Sequence, residues 1–493
     1  MTPVELVLAL DAGTSGVRTV AFDAHANVRD SSYRELTQHF PRPGEVEHDA
    51  REIAALCVAT LRDVARRARA NAHEVVALGI TNQRETTVAF DRETGQLPHR
   101  AIVWQDRRTA AYCEELNARG ETPSVRSTTG LVLDSYFSAT KMRWFLDHTP
   151  MDQLRVPSFA TVDSWLTWWL TGGIEGGIFV TEPSNASRTM LMDLSTLRWS
   201  ETMTALFGVD PALLATIQPS RSTFGTVDAK VVPELSGVPI TGILGDQQAA
   251  LFGQACFRPG VVKATYGTGA FILANVGSHN PGVFDGLITT LAWDLGDGSP
   301  TYAVEGSAFV AGAAVQWLRD EVGFIEDSSR LEALATSVAD SAGVQFVPAF
   351  SGLGSPFWRS DARGSITGLS RGVGRGQFAR ALIEALAYQV RAMTDAFGDG
   401  GIALHELRAD GGAAAMDLLM QLQATNSKLP VLRSTSLEAT ARGAATIAGL
   451  GAGLWSSLDQ LNELWTFDRR FEPEDSLVVD LGYAQWRRAL VHA

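Results

Sequence analysis

The sequence predicts an α/β protein of two domains facing each other across a central cleft. Three observations carry that expectation. Two glycine-rich hairpins of one kind stand roughly half a chain apart, around Asp11-Ala12-Gly13-Thr14-Ser15-Gly16 and Gly267-Thr268-Gly269, which reads as an internal duplication. Short apolar runs alternate with segments of helical period in both halves. At 493 residues the chain exceeds one core of ordinary size, so two domains are expected.

The elements follow in order. Residues 6–10 and 17–23 are the strands of the first hairpin, with Val17, Thr19 and Ala21 alternating against Arg18, Val20 and Phe22. A helix is expected over 52–70. A short buried strand over 75–81 then ends in the polar run Asn82-Gln83-Arg84-Glu85-Thr86. Further on, 240–244 reads as a strand and 248–256 as a helix, with Gly245-Asp246-Gln247 between them. The second hairpin spans 261–276. After it come a helix over 310–322, a Gly- and Pro-rich loop over 350–375, a helix over 378–397, a strand over 406–409 and a helix from Ala413. The domain boundary is placed at 256, dividing the chain into 1–256 and 257–493. No low-complexity tract separates the halves, so they are expected to pack together.

Composition excludes several classes of function. With 45% hydrophobic residues, 46 glycines and 19% charged residues, the chain reads as a globular enzyme with many tight turns. A net charge of −14 argues against nucleic-acid or anionic-membrane partners, so any phosphate site has to be built locally. Cys57, Cys113 and Cys256 form no C-x-x-C pair and read as core residues of a reducing compartment. No signal peptide and no membrane-spanning run is seen, so a cytoplasmic location is expected.

Glycine-rich turns expose backbone N–H groups that can cradle phosphate. Opposed across a cleft, the two hairpins can hold a phosphate chain, with Arg18 adding charge and Asp11 near a metal. Each turn alone also fits a plain hairpin. There is no P-loop and no strand-linked G-x-G-x-x-G, and the histidines show no metal-ligand spacing. The Gly449–Gly453 run reads as close helix packing. Arg84 and Glu85 stand at a strand end, where α/β proteins put chemistry, although an exposed ion pair is the ordinary alternative. Asp246 fits either a general base or a helix N-cap.

Taken together, several segments carry a resemblance. They are Gly79-Ile80-Thr81-Asn82-Gln83-Arg84-Glu85-Thr86-Thr87, Ala101-Ile102-Val103-Trp104-Gln105, Tyr136-Phe137-Ser138-Ala139-Thr140-Lys141, Asn185-Ala186-Ser187-Arg188-Thr189-Met190, Gly245-Asp246-Gln247-Gln248 and Pro348-Ala349-Phe350-Ser351-Gly352-Leu353-Gly354. They resemble the motifs of the FGGY carbohydrate kinases, most of all the branch acting on glycerol, over nearly the whole chain to about Trp455. The resemblance implies two ribonuclease-H-like domains of the actin, Hsp70 and sugar-kinase superfamily. It also implies transfer of a phosphoryl group from ATP, with Mg²⁺, to glycerol.

Residue by residue, the resemblance implies polyol contacts at Arg84, Glu85, Tyr136, Asp246 and Gln247, an apolar wall of Trp104 and Phe271, and Asp246 as general base. Nucleotide contacts are implied at Thr14, Ser15, Gly16, Arg18, Thr268, Gly269, Gly312, Gln316, Gly411, Gly412 and Met416, and metal contacts at Asp11 and Asp246. A homodimer or homotetramer is the implied assembly. The first hairpin lacks hydroxyls usual in the family, and Met416 replaces an Asn found near adenine in many members. Two other functions are weighed: a kinase for another small polyol or ketose (erythritol, threitol, dihydroxyacetone), and a non-catalytic ATP switch or sugar sensor. The full set Arg84, Glu85, Tyr136 and Gln247 favours glycerol over the first, and the retained Asp246 argues against the second.

Overall fold

The computed structural model describes residues 4–359, 361–436 and 438–493. Its first sheet is formed by β1 (Glu5–Ala12), β2 (Gly16–Asp23), β3 (Val28–Glu35), β4 (Glu74–Asn82) and β5 (Ile240–Gly245), in the order β5-β4-β1-β2-β3. β1, β4 and β5 are parallel, whereas β2 runs antiparallel to both its neighbours, β1 and β3. The second sheet is formed by β6 (Val261–Tyr266), β7 (Ala270–Gly277), β8 (Ile288–Trp293), β9 (Thr301–Ala308), β10 (Glu406–Asp410), β11 (Val431–Ser434) and β12 (Phe467–Phe471), in the order β8-β9-β7-β6-β10-β11-β12. β6 pairs antiparallel with β7 and parallel with β10. This repeats the relation of β1 to β2 and β4, so the duplication read from the two hairpins is present in the topology.

The helices that position the site are α1 (Ala50–Ala70), α2 (Pro183–Ala186), α3 (Asp246–Gly253), α4 (Gly312–Asp320), α5 (Arg375–Asp399), α6 (Asp417–Ser427) and α7 (Ala439–Ala452). α1 starts where the Asp49 side chain accepts from the Arg51 and Glu52 amides, satisfying donors that a helix start leaves open. Among the described residues no helix is long and apolar enough to cross a membrane. All three cysteines are free and buried.

The structure corrects several expectations. β2 is buried along almost its whole length, not alternately. Val17 and Ala21 join the core under α1, and Val20 and Phe22 join a second core under α7, so both faces of the strand are covered. The helix expected from Ala413 is a 3₁₀ turn, Gly412–Ala415, with α6 starting only at Asp417. The loop over 350–375 contains a short strand, Ser365–Thr367, paired with Gln345–Val347. The cut at residue 256 separates the two large sheets, and across it α7, from the second half, lies on the first sheet. Trp455, just beyond it, donates its Nε1 hydrogen to the Ala24 carbonyl at 2.9 Å.

α7 reaches that position through backbone contact with α3. A Cβ added at Gly443 falls 1.8 Å from the Ala249 carbonyl oxygen, and one at Gly253 falls 2.0 Å from that of Ala439. No side chain can yield at either point, so the helices stay this close only while both positions are glycine. Gly443→Ala is therefore expected to cost about 1–3 kcal/mol or more as an overpacking change. The test is the denaturant midpoint, and an unchanged midpoint would mean that the helices separate freely.

Candidate active site

The carboxyl ends of β1, β4 and β5 meet at one edge of the first sheet. Their register pairs Asp11 with Thr81 and Asn82 with Gly245, which sets Arg84 and Glu85 next to the start of α3. α3 has Gly245 as its cap residue, and Asp246 is its first helical residue, so the N-cap alternative for Asp246 does not hold. Asp246 Oδ1 accepts from the Gln247 amide at 2.7 Å and lies 3.1 Å from Arg84 Nε. Its side chain keeps 31% of its surface exposed, against 2% for Arg84.

Arg84 and Glu85 form no surface ion pair. Arg84 Nη1 donates to Glu305 Oε2 at 2.7 Å and to Gln248 Oε1 at 3.1 Å. Arg188, fully buried, donates to Glu85 Oε1 at 2.7 Å and to Glu305 Oε1 at 3.1 Å. Burial alone would raise the Glu305 carboxyl, but Arg188 and Arg84 overcome it and bring the group down to about 2. For Glu85 burial wins over the same arginines, and its carboxyl sits above the ordinary range. The difference follows from contact, since Glu305 bonds both guanidiniums whereas Glu85 bonds one and faces Glu305. Glu85 also holds a left-handed backbone, φ +63°, a strained state for a non-glycine residue and common at binding sites.

An aromatic wall stands beside these charges. Trp104 and Tyr136 meet edge to face with centroids 5.5 Å apart, and Trp104 Nε1 donates to Thr14 Oγ1 at 2.9 Å. The indole N–H is thereby satisfied, leaving the ring to act as an apolar surface. The Tyr136 loop is fastened by Lys141, whose buried ammonium donates to the carbonyls of Ser135, Tyr136 and Phe137 at 2.8, 2.6 and 3.1 Å. Phe271 on β7 is half-buried and faces Thr265 and Ser307 in register. Gln247 Oε1 accepts from Lys263 Nζ of β6 at 2.5 Å, a contact from the second half.

The two hairpin turns differ in what they leave free. In the first, the Gly13 amide bonds the Gly16 carbonyl at 3.0 Å and Ser15 is exposed. Gly16 fits beneath Tyr33, where an added Cβ would lie 2.4 Å from the phenolic oxygen. Arg18 is already engaged, with Nη1 2.5 Å from both carboxylate oxygens of Glu438. In the second turn the Thr268 side chain is exposed and Gly269 is buried, while the Gly267 and Thr268 carbonyls accept from the amides of Gly312, Ala311 and Ala313. The Gly312 amide is thus spent on the hairpin. Gln316, one turn along α4, is exposed, and so is Gly412. Gly411, at φ +89°, presses on the Tyr266 backbone, and Met416 is 8% exposed within the core of the second half. Met416 therefore packs inward instead of presenting a broad surface to a ligand.

The profile for the N-terminal domain of the FGGY family of carbohydrate kinases matches residues 6–253, and that for its C-terminal domain matches 262–452. The chain belongs to the FGGY family of carbohydrate kinases. It is 49% identical over 496 residues to a protein of Stenotrophomonas maltophilia named glycerol kinase, covering 99% of this chain and 98% of that one. A Bordetella parapertussis protein of the same name is 49% identical over 501 residues, covering 99% and 97%. Among solved structures, Plasmodium falciparum glycerol kinase with ADP superposes with a TM-score of 0.93 at 35% identity, covering 99% of this chain and 98% of that one. Both halves have the sugar-kinase fold of the actin and Hsp70 superfamily.

In this FGGY kinase, Asp11 has a peculiar environment. Burial and the charge of Asp246 push its carboxyl up to about 7 against the pull of Arg18, and among the described residues none donates a hydrogen bond to it. No group of three or more metal-ligating side chains occurs among the described residues. A pair of carboxylates, Asp11 and Asp246, is the donor set that suits a cation taking its remaining ligands from water and phosphate.

Arg188, Glu305, Lys263, Gln248 and Lys141 belong to the site and were not picked out from sequence. Arg188, Lys141 and Gln248 stand inside motifs that were quoted. For Glu305 and Lys263 the available signal was a lone charge within an otherwise apolar strand, which is expensive to bury unless paired. Glu305→Gln should destabilise the fold by about 3–5 kcal/mol at neutral pH, because both arginines lose their shared counter-charge. A carboxyl lowered from 4.5 to about 2 contributes stability above 4.5 and loses it as pH falls toward 2, so the gap between wild type and variant should narrow over that window. Denaturant midpoints at several pH values check this, and a pH-independent gap would count against the assignment.

Proposed function

We propose that this FGGY kinase transfers the γ-phosphoryl group of ATP to a primary hydroxyl of glycerol, giving sn-glycerol 3-phosphate and ADP. The observation that carries the reading is the make-up of the polyol end. Arg84, Arg188 and Lys263 are balanced there by Glu85, Glu305 and Asp246, next to the Trp104 and Tyr136 wall. A pocket of alternating donors and acceptors with no net charge suits a small neutral polyol better than a sugar acid. The relatives named glycerol kinase at 49% identity support the same choice.

In this reading Arg84, Glu85, Tyr136, Asp246 and Gln247 hold the hydroxyls, while Trp104 and Phe271 cover the C–H face. The attacking oxygen bonds to the γ-phosphorus as the bond to the β–γ bridging oxygen breaks, and ADP leaves. Asp246 takes the hydroxyl proton. Its Oδ1 is occupied by the Gln247 amide and Arg84, so Oδ2 is the accepting atom. Asp11 and Asp246 would hold Mg²⁺, which when bound supplies positive charge against the phosphate oxygens. Turn groups of Thr14, Ser15, Gly16, Thr268 and Gly269 contact the phosphates, and Arg18 offers them a charge it shares with Glu438. Gly312 gives room at the hairpin. Gln316, Gly411 and Gly412 border the adenosine, with Met416 packed behind them. A cytoplasmic homodimer or homotetramer completes the proposal on family likeness.

Asp246→Asn should leave polyol and ATP binding largely intact while lowering kcat about 100-fold or more, the usual scale of a lost acid–base contribution. Near-normal kcat in a folded variant would sink the assignment. Glu85→Ala should raise the glycerol KM by the equivalent of about 1–3 kcal/mol, since buried donors lose their acceptor. ATP turnover on glycerol, erythritol, threitol and dihydroxyacetone tests the substrate itself. A kcat/KM highest for any of the other three would replace glycerol.

A further inference from the structure

Glu182 touches none of the residues assigned to polyol or nucleotide. It is fully buried and stands immediately before α2. Donors converge on its carboxylate from two segments. Oε1 accepts from Ser184 Oγ at 2.6 Å, Asn185 N at 2.7 Å and Asn185 Nδ2 at 2.9 Å, and Oε2 accepts from Ser184 N at 2.9 Å and Ser220 Oγ at 2.6 Å. The direction of the hydroxyl protons is determined by their other partners. Ser184 Oγ accepts from the Gly245 amide at 2.9 Å and Ser220 Oγ from the Asp294 amide at 3.1 Å, so each aims its own hydrogen at Glu182. Burial pushes this carboxyl up to about 7, while the bonds from Ser184 and Ser220 pull it back down.

The two residues that Glu182 orients lead directly to the active site. Ser184 holds the amide of Gly245, the residue before Asp246. Asn185 exchanges side-chain hydrogen bonds of 2.9 and 3.3 Å with Asn82, at the end of the strand that delivers Arg84 and Glu85. We infer that Glu182 is a positioning residue that fixes Asp246 relative to Arg84 through Ser184 and Asn185. The inference rests on Asp246 being the base. A glutamine cannot replace the carboxylate here, because its amide would turn N–H groups toward donors that need an acceptor. Arg84 and Glu85 are held independently by Glu305 and Arg188, so loss of Glu182 acts on the base more than on polyol capture. A small displacement of a reacting group lowers rate while leaving binding nearly unchanged.

The experiment compares Glu182→Gln and Ser184→Ala, each alone and combined with Asp246→Asn, by steady-state kinetics with glycerol and ATP. Ser184→Ala keeps the carboxylate and its other donors, so it carries the same test should Glu182→Gln fail to fold. The expected result is a kcat about tenfold lower with a glycerol KM within about threefold of wild type. In the Asp246→Asn background either change should lower kcat by less than about twofold, because residues acting as a unit are non-additive. Unchanged kcat in the folded single variants overturns the inference. So does an equal loss in both backgrounds, which assigns Glu182 a purely structural role. Wild-type kcat in Asp246→Asn alone brings down the reading of Asp246 as base, and this inference with it.

Discussion

Two guanidinium groups, Arg84 and Arg188, are buried beside the polyol pocket at 3% and 0% exposure, and the carboxylate that both share, Glu305, comes from the other half of the molecule. Charges taken this far from water are tolerated only when paired and hydrogen-bonded. The arginines lie at the end of β4 and just after α2, whereas Glu305 lies on β9 in the second sheet. Pairing therefore requires the two halves to be docked. The proposed polyol site is thus a property of the interface: Arg84 faces Asp246 with its Nε while its Nη1 is held from across the cleft.

Other contacts repeat that logic on a smaller scale. Lys263 reaches from β6 to Gln247 on α3, and Gln254 donates to Asp410 at the end of β10 at 2.5 Å. Trp104 ties its indole to Thr14 in the first hairpin, so the wall of the polyol pocket and the phosphate turn share one hydrogen bond. Displacement of either element is felt by the other. A Cβ added at Gly443 would drive α7 away from α3, whose first residue is the proposed base, so a change far from the pocket reaches Asp246 through rigid backbone.

Much of this was legible in the sequence, because the hairpins, the strand-end run from Asn82 to Thr86 and the Asp246 segment are local patterns whose function depends on residues adjacent in the chain. Arg84, Glu85, Asp246 and Gln247 do converge at one edge, as their motifs suggested. Long-range placement was not legible. α7 is rich in small residues and buried all round, a pattern that says only that it packs closely, and nothing in it distinguishes its own sheet from the one formed by the first half. Glu305 and Lys263 sit in apolar strands, and their partners lie 221 residues away for Arg84 to Glu305 and 16 for Lys263 to Gln247. Met416 was read by its place in a motif, and its 8% exposure, just after a 3₁₀ turn, is a backbone detail that the glycines at 411 and 412 do not reveal.

The distribution of charge along the cleft separates its two tasks. At the polyol end cations and carboxylates balance, so a neutral molecule can enter without a net electrostatic penalty. At the proposed phosphate end Asp11 accepts no side-chain hydrogen bond among the described residues and faces Asp246, and Arg18, which offsets that charge, is held by Glu438. A bare polyanion arriving there would meet more negative charge than positive. The phosphate chain must therefore bring cationic charge with it or rely on turn amides, which carry partial positive charge without a titrating group. That requirement fits the proposed use of two glycine-rich hairpins, and not a cluster of lysines, in a protein of net charge −14. Lysines placed near Asp11 and Asp246 would pair with the carboxylates proposed for proton transfer and cation binding, whereas backbone amides leave both available.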